Sequence, residues 1–274
     1  MLAAMLLTLA AANVPRIDVA FALDTTGSMG DEIDVVKEKI VEIARNISAG
    51  QPRPDVRFGI VAYRDRGDIY VTKAFPFSRE IADVQKALRT LDANGGGDEP
   101  ESVAEGLYAT VHELKWDFSR DTARMIFLIG DAGPHEYPDG KDWRKVASEA
   151  AEKGITISVI ACSGLSPAGE RVFEKIARLA DGQMMHLTYT RVARAADGRK
   201  YSVLNEGGRT WVADRELSES DWKKGAKELE REGKVRPAAA PPPSAMTDAP
   251  LKNNLDAEIA SGVRAKAEKM GVNY

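Results

Sequence analysis

A carboxylate and two hydroxyls follow the first apolar run of this sequence at two-residue intervals. Asp24, Thr26 and Ser28 stand in "FALDTTGS", directly after the apolar stretch 16–23. Gly27 permits a tight turn, so that one loop can direct all three side-chain oxygens toward one point. Carboxylate and hydroxyl oxygens suit a hard divalent cation such as Mg²⁺, Mn²⁺ or Ca²⁺. The same residues are also compatible with a plain turn acid and a helix cap.

Further acidic side chains stand where other predicted elements meet that loop. Asp131 follows the apolar run "ARMIFLI", and Asp98 follows three glycines in "NGGGDEPES". Asp98 and Glu101 also fit a capping pair at a helix start, with Pro100 in the first turn. Asp98 therefore stays open between metal ligand and helix cap, and Glu101 is interpreted as a cap partner or a rim residue. No cluster of cysteine and histidine occurs in the sequence, so zinc is not expected.

Four residues are expected around the rim of this site, where a partner would make contact. Arg64 and Asp65 lie in the turn "RDRGD", where they either line the rim or brace its loops. Glu101 and His135 complete the set, although an exposed loop histidine is the simpler interpretation of His135. The RGD tripeptide at 66–68 is interpreted as an ordinary turn, because charged residues and glycine are common in hairpin turns.

The elements that must position these side chains alternate between strands and helices. The apolar patterns predict strands at 16–23, 56–63, 69–75, 123–129, 155–161 and 184–189, and helices at 31–47, 79–91, 101–115, 142–153 and 168–180. This order predicts an α/β fold with a Rossmann-like, doubly wound, mostly parallel sheet, helices on both faces and one antiparallel edge strand. Sites in such sheets form at the carboxyl ends of the strands, where Asp24 and Asp131 are expected to meet.

Together these features resemble von Willebrand factor type A domains, the integrin I-like family. "DTTGS" matches the family signature D-x-[ST]-x-[ST], and "AYRD" and "GGGDEPE" resemble a subgroup of the family. The resemblance implies a metal-ion-dependent adhesion site, with Thr26 and Ser28 as direct ligands and Asp24 and Asp131 holding metal-bound waters. The family usually adds a threonine from the glycine loop, and Asp98 stands in that place here.

The resemblance implies a binding module, of adhesion or scaffold type, rather than an enzyme. A protein partner would reach the cation through an acidic side chain. If Asp98 supplied a third carboxylate, the cation would bind more tightly and attract that side chain less strongly. The rival interpretation is a Mg²⁺-dependent phosphoryl-transfer enzyme of the haloacid-dehalogenase type, with Asp24 as nucleophile. It requires a lysine before the last acidic loop and usually a second acid soon after the first, whereas Asp131 is followed by Ala, Gly, Pro and His.

Composition and the two ends of the chain limit the remaining classes. The formal net charge of −4 argues against nucleic-acid binding, and one cysteine, Cys162, excludes a disulfide-dense module. The apolar start resembles a secretory signal without its basic residues, so we expect export to a bacterial periplasm or secretion, or a cytoplasmic location if it is not a signal. No membrane span is expected in the mature chain. The expected domains are a signal peptide at 1–14, the type A domain at 15–190, a β-hairpin and helix extension at 191–235, a Pro/Ala-rich linker at 236–250 and a C-terminal helix at 251–274.

Overall fold

The described part of the chain contains two β-sheets and the helices that pack against them. The computed structural model describes residues 14–97, 99–194, 198–222, 224–238, 245–247, 252–253, 263, 266 and 268–269. The candidate signal segment therefore lies outside the described residues except for Val14. Among the helices described, none combines the length and the apolar character that crossing a bilayer requires.

A central six-stranded sheet carries the fold. Its strands are β1 (Arg16–Asp24), β2 (Asp55–Tyr63), β3 (Thr72–Ser78), β4 (Thr122–Gly130), β5 (Ile155–Ala161) and β6 (Met184–His186). Their order is β3-β2-β1-β4-β5-β6, with β3 antiparallel to β2 and the other pairs parallel. The predicted fold class is confirmed. The edge strand β3 begins at Thr72 rather than near Ile69. The turn before it extends to Val71, whose carbonyl accepts the Arg64 N–H.

Helices cover both faces of this sheet. A short 3₁₀ helix (Gly27–Asp31) leads into α1 (Ile33–Ser48), and α2 (Ile81–Arg89), α3 (Val103–His112), α4 (Trp143–Glu152) and α5 (Pro167–Leu179) follow. Successive side chains of a strand point to opposite faces, so β1 contributes to two cores. Phe21 and Leu23 pack with α1 and α2, whereas Ala20 and Ala22 pack with α3. Burial on both faces explains the near-continuous apolar run that marks β1 in the sequence.

A second, antiparallel sheet follows the central one. Its strands are β7 (Tyr189–Arg194), β8 (Lys200–Glu206), β9 (Arg209–Ala213), β10 (Arg236–Ala238), β11 (Ala245–Thr247) and β12 (Lys252–Asn253). The order is β10-β9-β8-β7-β11, and β12 also pairs with β7. Two short helices, α6 (Glu219–Trp222) and α7 (Ala226–Arg231), replace the single helix expected within the extension 191–235. Gly225 separates them with a φ of 79°, which a helix does not accommodate.

The C-terminal segments differ from the linker and helix expected there. The expected linker contains β10 and β11, because their backbone groups pair with β9 and β7. The expected C-terminal helix starts with β12, and of its remainder only Val263, Lys266 and Glu268 are described as helical. Val263 is buried within the core formed by β1, α1 and α2. The domain boundaries themselves remain a prediction.

Candidate metal centre

Four of the predicted site residues meet at the carboxyl end of the central sheet. Asp24 ends β1, and Asp131 follows the last residue of the neighbouring parallel strand β4. The Thr26 hydroxyl donates to Asp24 Oδ1 at 2.7 Å and lies 3.1 Å from Ser28 Oγ, which in turn donates to Asp131 Oδ1 at 3.0 Å. The structure thus joins these side chains into one chain of oxygens, and their role as metal ligands remains a prediction.

Backbone contacts fix the loop that carries the two hydroxyls. The Thr26 N–H donates to Asp24 Oδ1 at 2.9 Å, and the Gly27 N–H donates to the Gly95 carbonyl at 2.9 Å. A Cβ on Gly27 would lie 2.9 Å from that carbonyl oxygen, so a side chain would push the two loops apart. The glycine in "DTTGS" is therefore required by the close approach of the Gly95 loop.

The two carboxylates lie in a poorly solvated environment. Asp24 is fully buried and Asp131 is 4% exposed. Burial and then the charge of Asp131 raise the pKa of Asp24 to about 7, and burial raises the pKa of Asp131 to about 6. Two adjacent buried carboxylates disfavour each other's ionised form. A cation between them would remove this penalty.

Unused oxygen atoms support the fit of a cation to this site. Asp24 Oδ2 is buried and accepts no hydrogen bond from the described residues, although buried oxygens are normally paired. No three His, Cys, Asp or Glu side chains are arranged as metal ligands within the described part of the chain. A cation here would therefore depend on a mixed set of carboxylates and the hydroxyls of Thr26 and Ser28.

Glu101 belongs to the site more closely than the sequence indicated. Its side chain is 3% exposed, and its Oε2 has no hydrogen-bond partner among the described residues. The point that a Cβ on Gly96 would occupy is 2.7 Å from Glu101 Oε1 and 3.1 Å from the Thr26 Cβ, so Glu101 faces the hydroxyl loop. Burial, followed by the charge of Asp24, raises the pKa of Glu101 to about 8.

The interpretation of Glu101 as a helix-cap partner is wrong. Helix α3 begins at Val103 with Ser102 as its N-cap, and no side chain of the described residues makes a cap hydrogen bond there. Instead, the Glu101 backbone N–H donates to the Gly133 carbonyl at 2.9 Å, and its carbonyl accepts from the His135 N–H at 2.7 Å. These bonds tie the end of the glycine loop to the loop that contains Asp131.

Asp98 lies outside the described residues, so the choice between ligand and cap stays open. The glycines before it, Gly95 and Gly96, have φ values of 75° and 68°. Asp68 holds this loop, since its Oδ2 accepts the Gly96 N–H at 3.0 Å and the Asp65 N–H at 3.1 Å. The acid of the RGD tripeptide therefore has a bracing role within the domain.

Arg64 and Asp65 brace the loops rather than line an exposed rim. Arg64 is 2% exposed, and its guanidinium donates to the Thr25 carbonyl at 3.0 Å and to the Asp92 carbonyl at 2.8 Å. Asp65 is also buried and accepts bonds from Ser102 Oγ at 2.8 Å and from the Tyr137 hydroxyl at 2.5 Å. Both side chains are occupied inside the domain, which favours the bracing alternative.

His135 is partly buried in the loop that follows Asp131. Its ring stacks on Tyr137 with the ring centroids 4.2 Å apart, and its backbone bond to Glu101 places it beside the candidate ligands. On the basis of position, a contact with a partner remains a prediction for His135.

Glu32 is a buried carboxylate that sequence reasoning missed. It is 2% exposed and accepts the Ser163 N–H at 3.2 and 3.1 Å with its two oxygens, and also the Ser163 hydroxyl. Burial raises its pKa to about 7. An acid just before a helix normally indicates a cap, so nothing in "GDEID" distinguished this role.

The buried position of Asp24 disfavours the phosphoryl-transfer alternative. A nucleophile must be reached by its substrate, whereas Asp24 is 0% exposed and its Oδ1 already accepts two bonds from Thr26.

Comparison with known proteins decides the family. The family model described as "von Willebrand factor A domain" matches residues 18–205. The chain belongs to the von Willebrand factor A family. The matched range covers the central sheet of this von Willebrand factor A domain from Asp18 in β1 onward and extends into β8 of the second sheet.

Relatives of this von Willebrand factor A domain occur in much longer proteins. It is 30% identical over 121 residues to the α-protein kinase vwkA of Dictyostelium discoideum, covering 43% of this chain and 19% of that protein. It is 34% identical over 128 residues to human von Willebrand factor A domain-containing protein 7, covering 44% and 12%. It is 24% identical over 205 residues to mouse hemicentin-2, covering 70% and 4%. The chain thus spans less than a fifth of the length of these relatives.

Among solved structures, proximal thread matrix protein 1 from the mussel byssus has the same fold. The structure described as having a zinc-occupied MIDAS motif matches with a TM-score of 0.51 and 16% identity, covering 63% of this chain and 42% of that one. At this identity, the likeness supports the fold alone.

Proposed function

We propose that this domain is a metal-dependent protein-binding module. The observation that carries the proposal is the chain of oxygens from Asp24 through Thr26 and Ser28 to Asp131 at the carboxyl end of the sheet, with Glu101 facing the same loop. Two buried carboxylate oxygens, Asp24 Oδ2 and Glu101 Oε2, have no hydrogen-bond partner among the described residues. Membership of the von Willebrand factor A family supports this function.

The donor set favours a hard cation. The hydroxyls of Thr26 and Ser28 and the carboxylates of Asp24, Asp131 and Glu101 would hold Mg²⁺ or Mn²⁺, because all of these donors are oxygens. The mussel byssus protein has been described with zinc in its MIDAS motif, so zinc belongs in the same titration. When bound, the cation would offer an open position to a carboxylate from outside the domain.

The partner in this proposal is a protein that presents an acidic side chain. Ser28 is the exposed member of the oxygen chain and marks the side from which the partner would approach. Three carboxylates around a doubly charged ion would hold it firmly but would weaken its pull on a fourth, so specificity would depend on rim contacts such as His135. Export of the chain, expected from its apolar start, also remains part of this proposal.

Calorimetric titration of the full chain with Mg²⁺, Mn²⁺ and Zn²⁺ tests the metal site. Asp24→Ala should abolish the binding heat, because it removes the buried carboxylate to which Thr26 is bonded. Asp139→Ala is the matched control: it removes an acid near the rim that pairs with Arg66 and is 80% exposed. Equal heats for wild type and Asp24→Ala would refute the metal site.

A pull-down from the native extract tests the binding function. Proteins retained with Mg²⁺ and released by EDTA should be lost with Asp24→Ala and kept with Asp139→Ala. Hydrolysis of a generic phosphate ester that requires Mg²⁺ and Asp24 would instead support the phosphoryl-transfer alternative.

A further inference from the structure

The second sheet reaches the candidate metal centre through one buried contact. Asn205, on β8, is fully buried, and its Nδ2 donates to Glu32 Oε1 at 3.4 Å. The same carboxylate accepts the backbone N–H and the hydroxyl of Ser163, which follows β5. Glu32 therefore joins three parts of the chain: the start of α1, the end of β5 and the second sheet.

Burial of the polar Asn205 amide destabilises the fold unless the amide makes this hydrogen bond to Glu32. An ionised carboxylate only accepts, so the NH₂ group of Asn205 faces Glu32 when Glu32 is charged. The remaining Oδ1 is buried without a hydrogen-bond partner among the described residues. A buried acceptor without a partner destabilises the fold, whereas an apolar side chain at this position would fill the space without that penalty. Asparagine instead provides a hydrogen-bond donor that orients the Glu32 side chain.

Glu32 in turn fixes the loop that carries Ser28. The 3₁₀ helix Gly27–Asp31 ends against Glu32, whose N–H donates to the Met29 carbonyl at 2.9 Å. On the other side, the Cys162 N–H donates to the Gly130 carbonyl at 2.9 Å, directly before Asp131. The Glu32 carboxylate thus spans the gap between the loop of one candidate ligand and the strand ends next to the other.

We propose that Asn205 is a positioning residue for the metal centre and that it acts through Glu32 on the Ser28 loop. The second sheet is then a working part of the site rather than a separate appended module. This inference rests on the proposed metal function for its effect on affinity, whereas its effect on the loop can be measured without metal.

The test compares full-length Asn205→Leu with Ser202→Ala. Leucine has a branched side chain like that of Asn205, although a larger one, and removes the donor to Glu32. Ser202 lies on the same strand, is similarly buried and accepts the Leu217 N–H at 2.9 Å, so its loss weakens the second sheet without touching Glu32. If Asn205→Leu does not fold, Asn205→Ala removes the same donor without added bulk, and Ser163→Ala removes the other side-chain hydrogen bond to Glu32.

Two measurements are made on each protein. Calorimetry with Mn²⁺ should show roughly tenfold weaker binding for Asn205→Leu and Ser163→Ala, as is usual when a group that orients a ligand is lost. Ser202→Ala should bind within about twofold of wild type. Hydrogen exchange without metal should be faster at the Met29 and Glu32 amides in Asn205→Leu and Ser163→Ala, but not in Ser202→Ala.

Each result bears on the proposal separately from the metal function. Faster exchange at the Ser28 loop in Asn205→Leu, together with weaker Mn²⁺ binding, supports it. Unchanged exchange at that loop overturns it, whatever the affinity. Exchange that rises equally in Ser202→Ala also overturns it, because the effect would then be general loosening. If wild type binds no ion, the proposed function fails, and the exchange data alone decide whether Asn205 positions the loop.

Discussion

Replacing Asp131 by asparagine should stabilise the metal-free domain while destroying its metal site. Burial raises the pKa of Asp131 from 3.8 to about 6. A group with a raised folded-state pKa contributes stability below its unfolded pKa and loses it as the pH rises through the folded value. At pH 7.5 the charged side chain therefore weakens folding, and asparagine avoids this while its Oδ1 can still accept from Ser28 Oγ.

The expected size of the effect follows from that shift. About two pKa units at about 1.4 kcal/mol each correspond to roughly 3 kcal/mol of destabilisation by the ionised Asp131. In a domain of this size that is about 6–12 °C in the unfolding midpoint, taken as an upper limit. The stability gained by Asp131→Asn should vanish near pH 4. At that pH the wild-type carboxyl is protonated in the folded state and increasingly protonated in the unfolded state.

Thermal unfolding in EDTA and in saturating Mg²⁺ measures this prediction. In EDTA at pH 7.5, Asp131→Asn should unfold at a higher temperature than wild type. Adding Mg²⁺ should raise the midpoint of wild type by mass action and leave the variant unchanged. Asp139→Asn, an exposed acid bonded to Arg66, is the control and should follow wild type. The prediction is refuted if Asp131→Asn is less stable in EDTA, or if Mg²⁺ stabilises both proteins equally.

Three further predictions follow from the same carboxylates. Glu101→Gln should weaken Mn²⁺ binding about tenfold by calorimetry, because a carboxylate facing the site is lost, whereas Asp139→Asn, at an exposed acid bonded to Arg66, should bind as wild type does; equal affinities for wild type and Glu101→Gln would remove Glu101 from the site. Asp98→Ala should weaken Mn²⁺ binding if Asp98 is a ligand, whereas a cap alone predicts only about 1 kcal/mol less stability by denaturant unfolding. The metal-free midpoint should fall as the pH rises from about 6 to about 8, because Asp131, Asp24 and Glu101 then ionise in the folded state, with pKa values of about 6, 7 and 8. A midpoint that rises over this range in EDTA would contradict the burial of these charges.

Much of the central sheet could be predicted because its strands are long, apolar and separated by amphipathic helices. The parallel register of β1 and β4 then follows from crossover topology, and it places Asp24 and Asp131 at neighbouring strand ends. The proximity of Asp24 and Asp131 could therefore be predicted from the sequence.

The carboxylates at helix starts could not be assigned from the sequence. Glu101 and Glu32 both stand at the start of a predicted helix, where acids are common for reasons of capping and helix dipole. Only tertiary packing shows that Glu101 faces Thr26 and that Glu32 is bonded to Ser163 and Asn205. These contacts join residues far apart in the chain and leave no local pattern.

Charged residues in turns posed the same difficulty. The turn that contains Arg64 and Asp65 reads as an exposed rim, yet both side chains are buried by bonds to other loops. The short strands β10 to β12 could not be predicted either. Strands of two or three residues are too short for an apolar–polar alternation to distinguish them from an extended linker.

The most direct test of the metal centre is a crystal of the full chain soaked in Mn²⁺ and measured for anomalous scattering. We expect one strong anomalous peak enclosed by the side chains of Asp24, Ser28 and Asp131, with Glu101 beside it. A well-ordered site without an anomalous peak, or a peak only elsewhere on the molecule, would contradict the proposed metal-dependent function.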